Sequence, residues 1–220
     1  MDLLSQIREG GILYVLLLVA ITMHEYGHAL AADKLGAKLP RLEGRVSLNP
    51  LAHIDPMGTV ALPLLTIALS AGAGFPMVFG WGKPVNVELD NPKTRAKTDI
   101  LSTLGGGAAN LVLALVSAVL LAVFARFGLE DFAQVAWTSI MLNCVLFVIN
   151  MIPVPPLDGA VFLKYLTPIS EAAYYALARW GILILILLIN IPFTARIISA
   201  LVGALGSVFL LAASAIEKLL

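Results

Sequence analysis

The residues of this chain best suited to chemistry occupy five consecutive positions, 24–28, which read His-Glu-Tyr-Gly-His. On a helix, side chains four positions apart share a face, so His24 and His28 can bind one Zn²⁺ through one ring nitrogen each. Glu25 would then lie beside the metal without binding it, where a carboxylate can accept a proton from water. The pattern therefore predicts a zinc site with its own general base.

Two observations argue against a chance match. With 3 His and 7 Glu in 220 residues, random placement produces this pattern only about 0.001 times per chain. The motif also lies in an apolar run that begins at Ile12, and an ionisable residue inside a membrane span costs about 2.5 to 3.5 kcal/mol on insertion scales. A shared metal ion would offset that cost for all three side chains. The alternative is a buried polar core in which these side chains make hydrogen bonds and hold no metal.

A candidate third ligand, Asp158, lies in a Pro-rich turn at 153–159 that follows a long apolar run. Two histidines and one carboxylate leave the fourth tetrahedral position free for water, as in catalytic zinc sites. The prolines and the glycine of this turn interrupt a regular helix and allow the carboxylate to turn toward the metal. Taken alone, Pro-Leu-Asp-Gly is typical of a surface turn, so its assignment as a ligand depends on the histidine pair.

The composition indicates an integral membrane protein. Hydrophobic residues make up 60% of the chain and charged residues 13%, with a mean hydropathy of +0.94, whereas a soluble domain has about 25% charged residues. Basic and acidic residues balance at 14 each, so no nucleic-acid partner is expected. The expected partner is the lipid bilayer, which the apolar composition indicates. The single cysteine, Cys144, excludes a disulfide within the chain and is expected to be a small core residue.

The apolar runs predict an all-α polytopic membrane protein with about five full transmembrane helices and one further apolar stretch, 57–80. The polar residues 34–56 lie outside the hydrocarbon, and the alternation within 41–48 predicts a short strand or hairpin at the membrane surface. An ordinary connecting loop is the alternative there. The five predicted spans cover residues 10–33, 100–124, 133–152, 172–191 and 195–215.

A ligand at Asp158 constrains the topology, because the first and third predicted spans must then end on the same membrane face. A full crossing by 57–80 would place Asp158 on the opposite side from the histidines. We therefore predict that this stretch does not cross, and either re-enters with a bend near Gly72 and Gly74 or lies shallow in the membrane surface.

The basic residues support this arrangement. Five crossings place 11 of the 14 basic residues on the face of the zinc site, and positive residues favour the cytoplasm. The zinc site is thus predicted toward the cytoplasm of a cell membrane, with the N-terminus outside and the C-terminus cytoplasmic. The residues assigned to the cytoplasmic face are Lys34, Lys38, Arg41, Arg45, Lys83, Lys93, Arg95, Lys97, Lys164, Arg179 and Lys218.

Two motifs together resemble the site-2 protease family of intramembrane zinc metalloproteases, peptidase family M50. They are residues 24–28 in a span and residues 150–159, Asn-Met-Ile-Pro-Val-Pro-Pro-Leu-Asp-Gly, after a later span, and the resemblance covers most of the chain. It implies peptide-bond hydrolysis within or near transmembrane segments. The residues it assigns are the ligands of one Zn²⁺, His24, His28 and Asp158, the catalytic base Glu25 and, near the scissile bond, Asn150.

The resemblance also implies partners and a domain organisation. The expected substrate is a transmembrane protein, such as a membrane-anchored regulator of the anti-sigma factor type, cut in regulated intramembrane proteolysis. We expect residues 1–220 to form one protease domain without a PDZ or CBS domain. One departure is visible at 105–110, where Gly-Gly-Gly-Ala-Ala-Asn lacks the proline of the A-G-P-x-x-N pattern that the family often shows.

Other interpretations remain open at this point. The chain could be a non-proteolytic zinc-binding membrane protein, although Glu25 argues against it, or a transporter, although no internal repeat is visible. Asn150 could simply cap or bridge helices. His53 is either an additional metal or substrate ligand or, as we favour, a loop histidine with local hydrogen bonds.

Overall fold

The structure, a computed structural model, describes residues 3–70, 78–87 and 92–220. The described residues form helices and connecting turns and contain no strand. A 3₁₀ turn, Pro50–Ala52, and a π-helical turn, Pro56–Ala61, precede the third helix. The α-helices are α1 (Leu3–Lys34), α2 (Leu39–Leu42), α3 (Leu62–Ser70), α4 (Pro92–Arg126), α5 (Glu130–Asn150), α6 (Ala160–Leu166), α7 (Glu171–Asn190) and α8 (Pro192–Glu217).

Five of these helices, α1, α4, α5, α7 and α8, are long and apolar enough to cross a membrane. They contain 20 to 35 residues each, and about 20 residues are needed to cross the hydrocarbon of a bilayer. The predicted number of full spans is therefore confirmed, and the chain is a multi-pass membrane protein.

The sixth apolar stretch forms a shorter helical segment, Pro56–Ser70. This segment has fewer than the about 20 residues that a span requires. The bend predicted near Gly72 and Gly74 lies outside the described residues, so the re-entrant path of this stretch stays a prediction.

Helix α4 lies at the centre of the bundle and packs against α1, α5 and α8. Small side chains on α4 allow close contact with α5 and α8, as is usual between membrane helices. Cys144 is fully buried in this contact, as the sequence predicted. The buried core residues are Ala114, Ala118 and Ala122 of α4, Ile140 and Cys144 of α5, and Val202, Phe209 and Ala213 of α8.

A glycine contact sets the distance between α1 and α4. A Cβ atom added to Gly105 would lie 2.6 Å from the carbonyl oxygen of Gly27, and one added to Gly27 would collide with the carbonyl of Gly105. Only glycine at both positions allows the two backbones to approach this closely. The contact lies within the predicted zinc motif, so it brings α4 directly against the histidines.

The hydrogen bonds between helices show their directions. His28 and His24 of α1 bond to Ser102 and Asn110 of α4, so the two helices are antiparallel. Asn110 in turn bonds to Asn143 of α5, and α4 and α5 form an antiparallel pair through a tight turn. The C-terminal ends of α1 and α5 therefore lie at the same end of the bundle, as the predicted zinc site requires.

The strand or hairpin predicted at 41–48 is wrong. Its first two residues belong to the short helix α2, where Pro40 in the first turn favours helix because its φ angle is fixed. Gly44 then adopts a φ of 69° and reverses the chain. Polar and apolar residue types alternate along 41–48, but the polar Arg45 is 2% exposed and points into the loop rather than out of a strand.

Arg45 organises what we call the loop cluster, which comprises Arg45, His53 and the backbone carbonyl groups that they contact. The Arg45 guanidinium donates hydrogen bonds to the carbonyls of Ala52, Lys83 and Pro84, the last at 2.9 Å. His53 is 1% exposed, and its Nε2 bonds to the carbonyl of Ser47 at 2.8 Å. The cluster thus ties the loop after α2 to the chain at 83–84.

Candidate metal centre

The two histidines of the motif converge on one point. His24 and His28 lie one turn apart on α1 and are both buried. Their Nε2 atoms are 3.0 Å apart, and the rings meet edge to face with their centroids 4.5 Å apart. The regular helix therefore turns the i, i+4 spacing into a shared position for two imidazole nitrogens.

Asp158 supplies the third atom at this position. Its Oδ2 lies 2.9 Å from Nε2 of His24 and 3.1 Å from Nε2 of His28. The carboxylate belongs to the turn between α5 and α6, which is closed by a 2.6 Å hydrogen bond from the Gly159 amide to the Asn150 carbonyl. A side chain at Gly159 would collide with backbone carbonyls of this turn, so the turn needs glycine there.

The three atoms fit a zinc ion. In a tetrahedral site with bonds of 2.0 to 2.1 Å, ligand atoms lie about 3.3 Å apart, slightly more than the 2.9 to 3.1 Å observed here. Two imidazole nitrogens and a carboxylate oxygen are a usual zinc ligand set and leave a fourth position open. Within the described part of the chain, this is the one group of three or more His, Cys, Asp or Glu side chains close enough to hold a metal.

Helix α4 fixes the orientation of both imidazole rings. The Nδ1 atom of His28 donates to the backbone carbonyl of Ser102 at 2.8 Å, and the Nδ1 atom of His24 lies 2.6 Å from the side-chain oxygen of Asn110. A carbonyl can only accept, so each Nδ1 carries the proton and each Nε2 lone pair faces the shared position. The side-chain amide of Asn110 is occupied by Asn143 at 2.9 Å, which supports this assignment.

Gly106 leaves room for the centre. A Cβ atom at this position would collide with Nε2 of His28, the atom that faces the shared position. Because α4 packs so closely here, glycine is needed for α4 and the imidazole to coexist. Gly106, Ser102 and Asn110 were not assigned to the site from the sequence. Asn110 carried a visible signal, since a polar residue inside an apolar run needs a buried partner.

Glu25 lies beside the centre and is 9% exposed. The chain at 78–87 comes close to it at Gly82, where an added Cβ atom would lie 2.9 Å from Cγ of Glu25. Among the residues that the structure describes, the Glu25 carboxylate has no hydrogen-bond partner. It is therefore available to accept a proton.

Two other predicted residues lie apart from the three ligand atoms. Asn150 ends α5 and contacts the Asp158 turn through its backbone carbonyl, and no described contact joins its side chain to the histidines or to Asp158. His53 lies in the loop cluster, where its carbonyl also accepts a hydrogen bond from the Lys83 amide at 2.9 Å. This placement agrees with a loop histidine that has local hydrogen bonds.

Comparison with known proteins gives relatives of one kind. No protein-family model and no solved structure matches the chain. "Putative zinc metalloprotease YwhC" of Bacillus subtilis is 32% identical over 200 residues, which cover 87% of this chain and 86% of the relative. "Putative zinc metalloprotease Rip2" of Mycolicibacterium smegmatis is 35% identical over 180 residues, 80% of this chain and 65% of the relative. "Putative zinc metalloprotease Rip2" of Mycobacterium tuberculosis is 31% identical over 180 residues, which again cover 80% of this chain and 65% of the relative. The chain therefore belongs to the zinc metalloprotease family that includes YwhC and Rip2.

Proposed function

We propose that this protein is an intramembrane zinc metalloprotease of the site-2 type, with one Zn²⁺ per chain held by His24, His28 and Asp158. The observation that carries the proposal is the convergence of these ligand atoms, beside the buried carboxylate of Glu25, in a bundle of membrane-spanning helices. A structural zinc site has four protein ligands and needs no base. Three ligands and a base instead suit hydrolysis.

A bound zinc ion would polarise the scissile carbonyl and lower the pKa of water to about 7. Glu25 accepts the proton of the attacking water and delivers it to the leaving amine. Ser102 and Asn110 keep the two imidazoles in the tautomer that offers Nε2. The motif resemblance supports a further role for Asn150, whose amide would donate to the developing oxyanion or to the substrate backbone.

The substrate we propose is a transmembrane segment of another protein, such as a membrane-anchored regulator of the anti-sigma factor type. The backbone amides of a transmembrane helix are occupied by its own hydrogen bonds, so the helix must unwind locally before water can attack. Substrates with glycine or other helix-weakening residues near the cut should therefore be preferred. A stiff poly-leucine span that is cut equally fast would contradict this preference.

We propose a cytoplasmic orientation for the metal centre, supported by the 11 of 14 basic residues assigned to that face. The re-entrant path of residues 57–80 belongs to the same proposal. Ile67 of α3 lies against Gly10, near the start of α1, whereas Gly82 lies against Glu25 near its end. Cysteines substituted for Lys83 and for Lys34 can be labelled to test this. If the first reacted only from outside the cell and the second only from inside, this topology would be contradicted.

The test uses the full chain, purified in detergent, with a panel of tagged single-span substrates. We expect the wild type to cut, and Glu25→Gln to keep about one zinc per chain but to cut at least about 100-fold more slowly, since a positioned acid-base group contributes about 10²- to 10⁴-fold. Chelation should abolish cleavage, and zinc should restore it. Glu217→Gln, at an exposed position near the end of α8, is the matched control and should cut like the wild type.

Each failure of this test has a distinct meaning. A wild type that binds far less than one zinc per chain would contradict the metal centre itself. A Glu25→Gln variant that cuts at the wild-type rate would leave the metal centre intact and remove Glu25 as the base. Zinc binding without cleavage of any substrate would favour the non-proteolytic interpretation.

A further inference from the structure

One face of α4 follows the metal centre over three turns of helix. Ser102 and Gly106 both contact His28, and Asn110 contacts His24. The spacing of these α4 positions is four residues, so they lie on one side of the helix. A further step of three residues toward the N-terminus reaches the carboxylate of Asp99, which lies on the same side.

Asp99 contacts the element that carries the third ligand. Its Oδ2 accepts a hydrogen bond of 2.5 Å from the hydroxyl of Tyr165 on α6. The Asp99 side chain is only 17% exposed, and the Nε of Arg95, with which it forms an i, i+4 ion pair, is 3.9 Å away. The Tyr165 hydroxyl is therefore the closer polar partner of a largely buried carboxylate, and such a contact is costly to lose.

Tyr165 is connected to Asp158 by a short and ordered stretch of chain. Helix α6 begins at Ala160, two residues after Asp158, and the Val161 amide donates to the Asp158 carbonyl at 3.0 Å. Burial and the Asp99 carboxylate raise the pKa of Tyr165 to about 12, so its hydroxyl keeps the proton that it donates. A shift of α6 along α4 would move the Asp158 carboxylate with it.

The position of Asp158 needs such support more than the histidines do. His24 and His28 are fixed by a continuous helix of 32 residues, whereas Asp158 lies in a turn before a helix of only seven residues. Groups that orient metal ligands typically change metal affinity by about 10- to 100-fold. Asp158 is thus the ligand whose position is least fixed by its own backbone, and it precedes the helix that Tyr165 and Asp99 join to α4.

We propose that the hydrogen bond between Tyr165 and Asp99 is a positioning contact of the metal centre, which ties α6 to α4 and so holds Asp158 opposite the two histidines. Both residues act through Asp158 and neither contacts the metal position. The inference rests on the proposed zinc site, and its test separates the two.

The test measures release of zinc from the full-length protein in detergent after an excess of chelator is added. We expect Tyr165→Phe, which removes only the hydroxyl, to release zinc about 5- to 30-fold faster than the wild type. Asp99→Ala should match it. Asp99→Asn keeps an acceptor oxygen and should restore release to within about 2-fold of the wild type. Tyr175→Phe, at an exposed position on α7, is the matched control and should leave release unchanged.

A double variant distinguishes positioning from general stability. Tyr165→Phe combined with Asp99→Ala should release zinc no faster than either single variant, because both remove the same contact. The proposal would be overturned if Tyr165→Phe released zinc at the wild-type rate, or if the effects of the two substitutions on zinc release added up in the double variant. Lower thermal stability of the zinc-free variants with unchanged zinc release would also overturn it, since that is the result of a merely structural contact. A wild type that never binds zinc would instead overturn the proposed function on which this inference rests.

Discussion

Two buried clusters of this protein contain histidine, and only one is arranged to bind a metal. In the metal centre, the ring nitrogens of His24 and His28 and an oxygen of Asp158 come within 3.1 Å of one another. In the loop cluster, His53 and Arg45 contact backbone carbonyls, and no carboxylate of the described residues joins them. Burial is similar in both clusters, so burial alone does not make a histidine a ligand.

The difference lies in which groups meet. In the metal centre, backbone and amide groups of α4 occupy the Nδ1 atoms of His24 and His28, so both Nε2 lone pairs point to one place. In the loop cluster, Nε2 of His53 is occupied by a carbonyl, and its buried Nδ1 has no hydrogen-bond partner among the described residues. A metal site requires several lone pairs that converge, and a single free nitrogen does not supply this.

The loop cluster nevertheless contributes to the site. Arg45 binds the carbonyls of Lys83 and Pro84, directly after Gly82, which lies against Glu25. A guanidinium presents several donors in a fixed plane, so it can hold two adjacent carbonyls at once. The cluster therefore fixes the chain that covers Glu25, whereas the metal centre provides the ligands. The following substitutions test this division.

Gly106→Ala should have the largest effect on the metal centre. The added Cβ would occupy the space of Nε2 of His28, so either the imidazole or α4 must move, and the ligand atoms would no longer converge. We expect zinc affinity to fall more than about 100-fold, beyond the usual range for groups that only orient ligands. Zinc titration of the purified protein measures this. Gly203→Ala, on α8 with open space around it, is the control, and equal zinc affinity of the two variants would contradict the prediction.

Asn110→Ala should weaken zinc binding without abolishing it. The substitution removes the acceptor of the Nδ1 proton of His24, which frees the ring to change its tautomer and orientation. We expect zinc affinity to fall about 10- to 100-fold, measured by competition with a chelator. Asn143→Ala leaves the bond between Asn110 and His24 in place and should cost less than 10-fold. A larger loss in Asn143→Ala than in Asn110→Ala would show that the polar chain matters for packing rather than for the histidine.

The parts of the site that the sequence predicted are those set by local geometry. An i, i+4 histidine pair on a helix converges whatever surrounds it, and apolar runs of this length leave a chain few alternatives to spanning a membrane. Asp158 was predicted because two histidines and one carboxylate leave a fourth zinc position open for water, and because the prolines of its turn interrupt a regular helix. Its proximity to the histidines in the structure agrees with that interpretation.

The parts that sequence reasoning missed depend on packing between helices. Ser102 contributes its backbone carbonyl, a group that every residue has, so no residue type could indicate it. Gly106 matters because of what lies opposite it on α1. The wrongly predicted strand at 41–48 has the same origin, because whether Arg45 points outward or inward is decided by carbonyls nearly forty residues further along the chain. The role of Asn150 stays a prediction.

Of these substitutions, His53→Gln should have the smallest effect on zinc affinity, because His53 lies outside the metal centre. Zinc affinity should stay within about 2-fold of the wild type, while loss of one buried hydrogen bond should cost about 1 kcal/mol, or about 2 to 4 °C in the thermal unfolding temperature.

The pH dependence of that difference identifies its cause. Burial lowers the pKa of His53, so below about pH 6.5 the unfolded chain takes up a proton at this position more readily than the folded protein does. The wild type then loses stability that the glutamine variant does not lose, and the gap between their unfolding temperatures should narrow from pH 8 to pH 5.5. Both proteins keep His24 and His28, so the titration of these two residues cancels in the comparison. A gap that widens at low pH would mean that folding raises the pKa of His53 and would contradict its assignment to a buried, neutral loop position. Zinc lost from His53→Gln would place His53 with the metal ligands and remove the distinction between the two clusters.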